Sequence, residues 1–379
     1  MENKVIIVGA GIIGNFLAYE LSKNGIECLV IEKKSKFGKE ACTSLVSKRI
    51  FDFAPKKFII NKIDGARIFF HDKQLEVIAN EKAYVIDRKA LEEFYAKNAE
   101  LACYKMNEKF KDFYYCMDGI NAITERKRYF TNLLVGCDGA ASIISRKIGN
   151  KWNFITGIQT RAKIKRDKDF VEIYFGEFSK DFFAWVVPEN DEIARIGLAS
   201  SSNVYDYFKK FLKFLDVKEG KVDVGLIPIS LPKKTCSKNL IIVGDAASQV
   251  KASTGGGIIT GMHCAKHAIN AIKNALKEKD FSEEFFVNEY ETKWKSELMW
   301  NFKTCYFIRK TLENFSDKDY QRLYEFLSKK EIMNKVRVGA DMDFYSNFVF
   351  SLFSTELLIF ILKQLMHNPK IIKNISILI

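Results

Sequence analysis

Apolar positions along the chain fall into a few short continuous runs, many alternating stretches and a helical remainder. The first run, Val5-Ile6-Ile7-Val8, carries no polar alternation and predicts a strand buried on both faces. It leads into Gly9-Ala10-Gly11-Ile12-Ile13-Gly14, then an apolar-periodic stretch from Phe16 to Leu21 that reads as a helix, then Gly25 and a second run ending Leu29-Val30-Ile31-Glu32. This is a βαβ unit with a G-x-G-x-x-G turn. Gly9 permits the tight turn, Gly11 lets backbone amides approach a pyrophosphate, and Gly14 lets helix and strand pack closely, while the helix N-terminus supplies a positive dipole end. Glu32, 18 positions past Gly14, is placed to accept hydrogen bonds from both hydroxyls of an adenosine ribose, which favours FAD or NAD over NADP.

Two later stretches return to the same chemistry. Residues 104 to 136 read as a β-meander with turns at Asp118-Gly119 and near Arg126-Lys127. It ends Leu133-Leu134-Val135-Gly136-Cys137-Asp138-Gly139, after which Ser142 to Arg146 open a helix, so Asp138 and Gly139 form a second cofactor element. The third is Leu240-Ile241-Ile242-Val243-Gly244-Asp245, followed by Ser253-Thr254-Gly255-Gly256-Gly257-Ile258 and a helix to about Leu276. A strand there delivers Asp245 to a ribityl hydroxyl, Gly255, Gly256 and Gly257 let backbone pass close under a flat ring, and the helix beginning at Ile258 points its N-terminus at the N1 and C2 carbonyl side of an isoalloxazine.

Between these elements the pattern alternates. Residues 50 to 86 and 151 to 235 read as strands of an antiparallel sheet that would roof the cofactor and leave a binding space between two layers. Alternation puts Phe183, Trp185 and Val187 on one face of their strand, as core or as cavity lining. Asp87 caps a helix spanning Arg88 to Ala102, and a cation at Arg88 in its first turn suits a cofactor phosphate or carbonyl oxygen, the alternative being a surface arginine. Lys33 opens a basic loop that flanks the cofactor or is simply solvated. Cys42 is either a small buried hydrophobe or a thiol near the cofactor's reactive end. From these runs we expect discontinuous domains: residues 1–49, 80–150 and 236–276 for the nucleotide, 50–79 and 151–235 for the substrate, and 277–379 as a C-terminal helical region.

Composition changes this picture only at its edges. At 379 residues with 47% hydrophobic content the chain has ample core for two to three domains. Eight scattered cysteines without C-x-x-C, and no signal-like N-terminus, lead us to expect a cytoplasmic protein, free or peripheral at the inner membrane surface, without a zinc ribbon or redox pair. A net charge of +13 attracts polyanions, yet no nucleic-acid-binding motif accompanies it, so no nucleic-acid partner is expected. His263 and His267 stand at i, i+4 without a third ligand, so no metal is expected. The very apolar stretch from Phe344 to Leu365 is interrupted by Glu356 and reads as a buried or an interfacial helix rather than a span. No second G-x-G-x-x-G occurs, so electrons must come from transiently docked NAD(P)H or a protein donor such as ferredoxin.

The three elements, Gly9 to Gly14 with Glu32, Cys137-Asp138-Gly139 and Gly244-Asp245-Ala246-Ala247, resemble the FAD fingerprints of the para-hydroxybenzoate hydroxylase-like flavoproteins. Within that superfamily, residues 42 to 47, the F-x-W-x-x-P stretch at 183 to 188, and Lys251 to Ile258 resemble the geranylgeranyl reductase family, archaeal digeranylgeranylglycerophospholipid reductase type; the likeness runs to about residue 275. The family's aromatic motif more often reads Y-x-W-x-F-P, so Phe183 and Val187 depart from it. The resemblance implies an α/β fold: a Rossmann-like FAD-binding domain of the GR2 type, with parallel sheet and β-meander, an antiparallel substrate sheet and a helical C-terminal region. It implies an FAD site that includes Ile13, Lys33, Cys42, Arg88 and Ile258, and a reductase of C=C bonds in isoprenoid lipids. An isolated alkene accepts hydride poorly, so cationic character develops as the other carbon is protonated, and the faces of Trp185 and Phe183 could stabilise it. Cys42 is the proton donor the resemblance implies, with an ordered water as the alternative. A flavin monooxygenase and a non-enzymatic prenyl-binding protein are the other readings.

Overall fold

The computed structural model describes residues 3–38, 42–339 and 341–344. In chain order it runs β1 (Asn3–Val8), α1 (Ile12–Lys23), β2 (Cys28–Ile31), β3 (Leu45–Ser47), β4 (Ile59–Phe70), β5 (Lys73–Ile86), α2 (Arg88–Asn98), β6 (Ala102–Lys105), β7 (Phe110–Cys116), β8 (Gly119–Thr124), β9 (Arg128–Gly136) and α3 (Ile143–Lys147). It continues with β10 (Phe154–Lys163), β11 (Phe170–Phe175), β12 (Phe183–Pro188), β13 (Ile193–Ser200), α4 (Val204–Phe214), β14 (Val222–Pro228), β15 (Cys236–Ser237), β16 (Leu240–Ile242), α5 (Ile258–Glu278), α6 (Glu283–Phe286), α7 (Thr292–Leu312), α8 (Asp317–Leu327) and α9 (Lys330–Gly339).

The first sheet has the order β15-β16-β9-β1-β2-β6, with parallel pairing from β16 to β6 and the meander β7-β8 joined to β9. The unbroken apolar run of β1 is explained by cover on both sides. Val5 and Ile7 pack with α1, α2 and α5, while Ile6 and Val8 pack with Phe113, Ile120 and Ala122 of the meander. The second sheet, β14-β10-β13-β12-β11-β4-β5-β3, is antiparallel except for the β11–β4 pair. Ala184 and Val186 of β12 turn toward α4, so Phe183, Trp185 and Val187 face the other way. The boundaries expected from the sequence at residues 49/50 and 79/80 cut through this sheet's edge, because β3 and the whole of β5 pair there.

Two helices differ from expectation. α4 interrupts the stretch from 151 to 235 read as strands, because Phe208, Phe211 and Leu212 at helical spacing cover Ala184 and Val186, and α2 is shorter than its pattern predicts. The helix from Arg88 ends at Asn98 rather than at Ala102, because Ala102–Lys105 pairs in parallel with β2 at the sheet edge and leaves Leu101 exposed. Pairing with β2 satisfies the backbone groups of Ala102–Lys105 and extends the parallel sheet by one strand. From α6 to α9 the described residues are helical, with α6 and α7 joined by a π turn at Val287–Glu291. The apolar stretch from 345 onward lies outside the described residues, and among those described no helix is long and apolar enough to cross a membrane.

Candidate active site

A cavity of about 950 Å³ runs between the carboxyl ends of the parallel strands and the inner face of the second sheet. That is the place where an open α/β sheet offers a ligand crevice. At one end stands the turn after β1. Gly9 has φ of +102°, and a Cβ there would stand 2.3 Å from the carbonyl oxygen of Cys137, so β1 and β9 close on each other only through glycine. A Cβ on Gly14 would meet the Gly9 carbonyl oxygen at 1.9 Å. Gly14 therefore shapes the turn from behind and does not line the cavity, whereas Gly9, Gly11 and Ile13 do. Gly244 likewise lies behind, against Ile13.

Glu32 is nearly buried and braces this turn: Ala10 N–H donates to Oε2 at 2.7 Å and Lys34 N–H to Oε1 at 2.8 Å. Each oxygen keeps a second lone pair for a ribose hydroxyl, and Lys33 lines the cavity beside it. Opposite, Asp138 accepts from the Ile143 amide at 2.9 Å through Oδ2, while Oδ1 is shielded from water and has no protein partner among the described residues. Burial raises its carboxyl above the ordinary carboxylate range, against the opposing pull of Ser142 and the Ile143 and Ile144 amides. Space is open beside Gly11 and Gly139, where a Cβ would meet no heavy atom within 4 Å. An orphaned carboxylate oxygen, an open glycine cradle and a braced ribose acid together fit an adenine dinucleotide.

Further along, Arg88 is paired with Glu92 at 2.7 Å and lies within hydrogen-bonding reach of the Cys42 thiol. Burial alone would lower the guanidinium's affinity for its proton, but Glu92 and Cys42 more than offset it and hold the group charged. Glu92 also accepts from the Gly38 amide at 3.0 Å, so one carboxylate ties the loop after β2 to α2. Both Arg88 and Cys42 line the cavity, and the Ser44 amide donates to Cys42 Sγ at 3.3 Å. Asp245 and the Gly255-Gly256-Gly257 loop close the floor; a Cβ on Gly257 would stand 3.1 Å from Asp245 Oδ1, and Ile258 begins α5 at the cavity wall. The distant glycine turns thus share one crevice.

The far wall is apolar. Phe183, Trp185 and Val187 line it with Ile63, Val171 and Leu226. The rings of Phe183 and Trp185 stand edge to face at 6.0 Å. Several groups there carry no short-range sequence signal. Trp185 Nε1 donates to Gln159 Oε1 at 3.2 Å, Gln159 Nε2 donates to the Cys42 carbonyl at 3.2 Å, and Arg195 donates to the Thr43 carbonyl at 2.7 Å. Lys251, with its side chain 5% exposed, lines the cavity and bonds Asp343 Oδ1 at 2.9 Å and the Met342 carbonyl at 2.6 Å. Arg49 bonds both oxygens of Asp341, so residues 341–344 are strapped across the glycine loop. His263 and His267 both bond Glu297, which they hold well below the usual carboxylate range.

Comparison with known proteins fits this geometry. The family of FAD dependent oxidoreductases matches residues 4–51. The digeranylgeranylglycerophospholipid reductase of Methanococcus vannielii is 30% identical over 332 residues, covering 77% of this chain and 82% of that protein. That of Methanocaldococcus jannaschii is 29% identical over 356 residues, covering 86% and 90%. Among solved structures, a geranylgeranyl bacteriochlorophyll reductase-like protein of Thermoplasma acidophilum superposes with a TM-score of 0.82 at 22% identity, over 100% of this chain and 99% of that one. The fold is that of an FAD-dependent oxidoreductase, and the chain is an enzyme of that class.

Proposed function

The chain belongs to the digeranylgeranylglycerophospholipid reductase family, and from that premise we propose that it saturates the C=C bonds of geranylgeranyl chains on archaeal-type ether phospholipids. Reduced FAD supplies the hydride when bound. The Gly9–Gly11 turn would hold its pyrophosphate, Glu32 its ribose, and Asp245 with the Gly255 to Gly257 loop its ribityl and ring, with Lys33, Arg88, Asp138, Gly139 and Ile258 completing the contacts. The observation that carries the proposal is the continuity of one cavity from the dinucleotide turn to the Phe183–Trp185–Val187 wall.

Along that wall the side chains exclude water and pack a prenyl chain by shape and apolar area. The aromatic faces of Trp185 and Phe183 favour positive charge on the alkene as it develops. Cys42 would deliver the proton: its S–H bond breaks, the new C–H bond forms, and Arg88 and the Ser44 amide stabilise the thiolate left behind until water reprotonates it. Electrons would arrive from NAD(P)H or ferredoxin docking transiently. The basic surface suits an anionic headgroup and peripheral contact with a membrane.

The test is anaerobic photoreduction of the FAD-loaded protein, addition of geranylgeranylated lipid and mass analysis of the product. A gain of one H2 for each saturated bond is expected; unchanged masses after full reduction would refute the proposal. Substrate-triggered oxygen consumption with a hydroxylated product would point to a monooxygenase instead.

A further inference from the structure

Trp185 does not hold its position by packing alone. It sits on β12, and its indole crosses the neighbouring strand β13 to reach β10. The crossing is possible because Trp185 pairs with Gly197, where a Cβ would stand 2.8 Å from Cζ2 and 2.9 Å from Cε2 of the indole. Gly197 pairs in turn with Gln159 on its other side, so Trp185, Gly197 and Gln159 form one row across three strands. At the end of that row Gln159, 6% exposed, accepts the indole N–H at 3.2 Å. The same carboxamide turns its Nε2 outward from the sheet and donates to the carbonyl of Cys42 at 3.2 Å.

We propose that Gln159 is a positioning residue for the reduction: a strut of fixed length between the aromatic wall and the loop that carries Cys42. Cys42 lies three positions before β3, the edge strand of the sheet whose interior holds β12, and 143 positions of chain separate it from Trp185. Arg195 on β13 and the pairing of β3 anchor the loop to this sheet, but among the described residues only Gln159 joins the Cys42 carbonyl to the indole itself. A carboxamide is suited to the task because one end accepts and the other donates, so it satisfies an indole N–H and a carbonyl oxygen at once. Arg195 reinforces the loop end, since its Nη1 reaches the same Cys42 carbonyl at 3.4 Å and Glu189 holds it in turn at 2.7 Å. A wall and a proton donor held at one separation admit an alkene in one orientation, and loss of about 1 Å in such placement costs on the order of a hundredfold in rate. This role presupposes the reductase function proposed above, but the strut itself is measurable without lipid.

Two variants separate its two bonds. Gln159→Leu keeps the volume and loses both. Gln159→Glu keeps an acceptor for the indole and loses the donor to Cys42, because at pH 9 the introduced carboxyl, next to an arginine that shares its carbonyl partner, is ionised. In the FAD-bound protein, Trp185 is read as the difference in fluorescence emission from a Trp185→Phe control, and Cys42 as its alkylation rate by peptide mass. Q159L should shift the Trp185 emission and raise Cys42 alkylation on the order of tenfold; Q159E, whose carboxylate still holds the indole N–H, should change the emission differently from Q159L and raise alkylation alike. In turnover, both should lower kcat far more than they raise KM. Wild-type emission and wild-type alkylation in Q159L would overturn the strut, and so would identical emission changes in the two variants. Absence of lipid reduction by the wild type would defeat the reductase proposal and leave the strut to be judged by emission and alkylation.

Discussion

Replacing Lys251 by Met gives a sharp measure of how the glycine loop and the strap at 341–344 depend on each other. The Lys251 and Asp343 side chains are only 5% and 2% exposed and meet at 2.9 Å. At an effective dielectric constant near 20, that contact is worth at most ~6 kcal/mol of Coulomb energy. Breaking a buried pair by removing one partner costs about 3–5 kcal/mol, because the remaining charge is stranded. Asp343 would keep Arg49 at 3.6 Å, and its Oδ2 already lacks a hydrogen-bond partner among the described residues, so relief is small. The strap can undock locally, so the loss should appear there rather than in the global melt. A change of ~3 kcal/mol is about a hundredfold in an opening equilibrium. Hydrogen exchange and limited proteolysis across residues 339–344 should therefore accelerate about a hundredfold in Lys251→Met. The double variant Lys251→Met, Asp343→Leu should regain much of the protection, since it strands no carboxylate. Because the Gly255 amide bonds the Lys251 carbonyl at 2.8 Å and the Lys251 amide bonds the Gly256 carbonyl at 3.1 Å, FAD release should quicken in step with strap opening. Exchange in the single variant within twofold of wild type would refute the reasoning.

Three further outcomes are expected. Asp245→Ala should weaken FAD retention by about 1.5–3 kcal/mol, seen as flavin lost on dilution and ultrafiltration; stoichiometric FAD after that treatment would contradict the role given to Asp245. Arg88→Met should move the pH midpoint of Cys42 alkylation upward, because a neighbouring cation favours the thiolate and its removal favours the thiol; an unmoved midpoint would count against the contact. Although burial raises the Asp341 carboxyl, Arg49 and the Phe344 and Asp343 amides hold it below its ordinary value. Its contribution is therefore present above about pH 4 and lost as pH falls further. Proteolysis at 339–344 should rise between about pH 5 and pH 3, and Asp341→Asn should flatten that rise.

The parts of this molecule that short stretches encode are legible in the linear order of residues. A short β-branched run such as Val5 to Val8, ending at a glycine turn, reads as a strand covered on both faces, a G-x-G-x-x-G turn carries its own backbone requirements, and period-two alternation puts Phe183, Trp185 and Val187 on one face. Local preference also misleads: the apolar periodicity past Asn98 suits a helix, yet the edge of a parallel sheet claims Ala102–Lys105, and Val204–Phe214 is a helix within a stretch read as strands. What only the folded chain decides are the pairings between groups that no local rule connects. Gln159 meets the Cys42 carbonyl across 117 positions, Arg195 meets it across 153, and Lys251 meets Asp343 across 92. A hydrogen bond has a direction and a reach of about 3 Å, and nothing in a linear pattern records which distant donor will arrive within it. The nucleotide turn is written in adjacent residues because its conformation is local, whereas the chamber wall, the strut and the strap exist only once two sheets and a helical tail have been brought face to face.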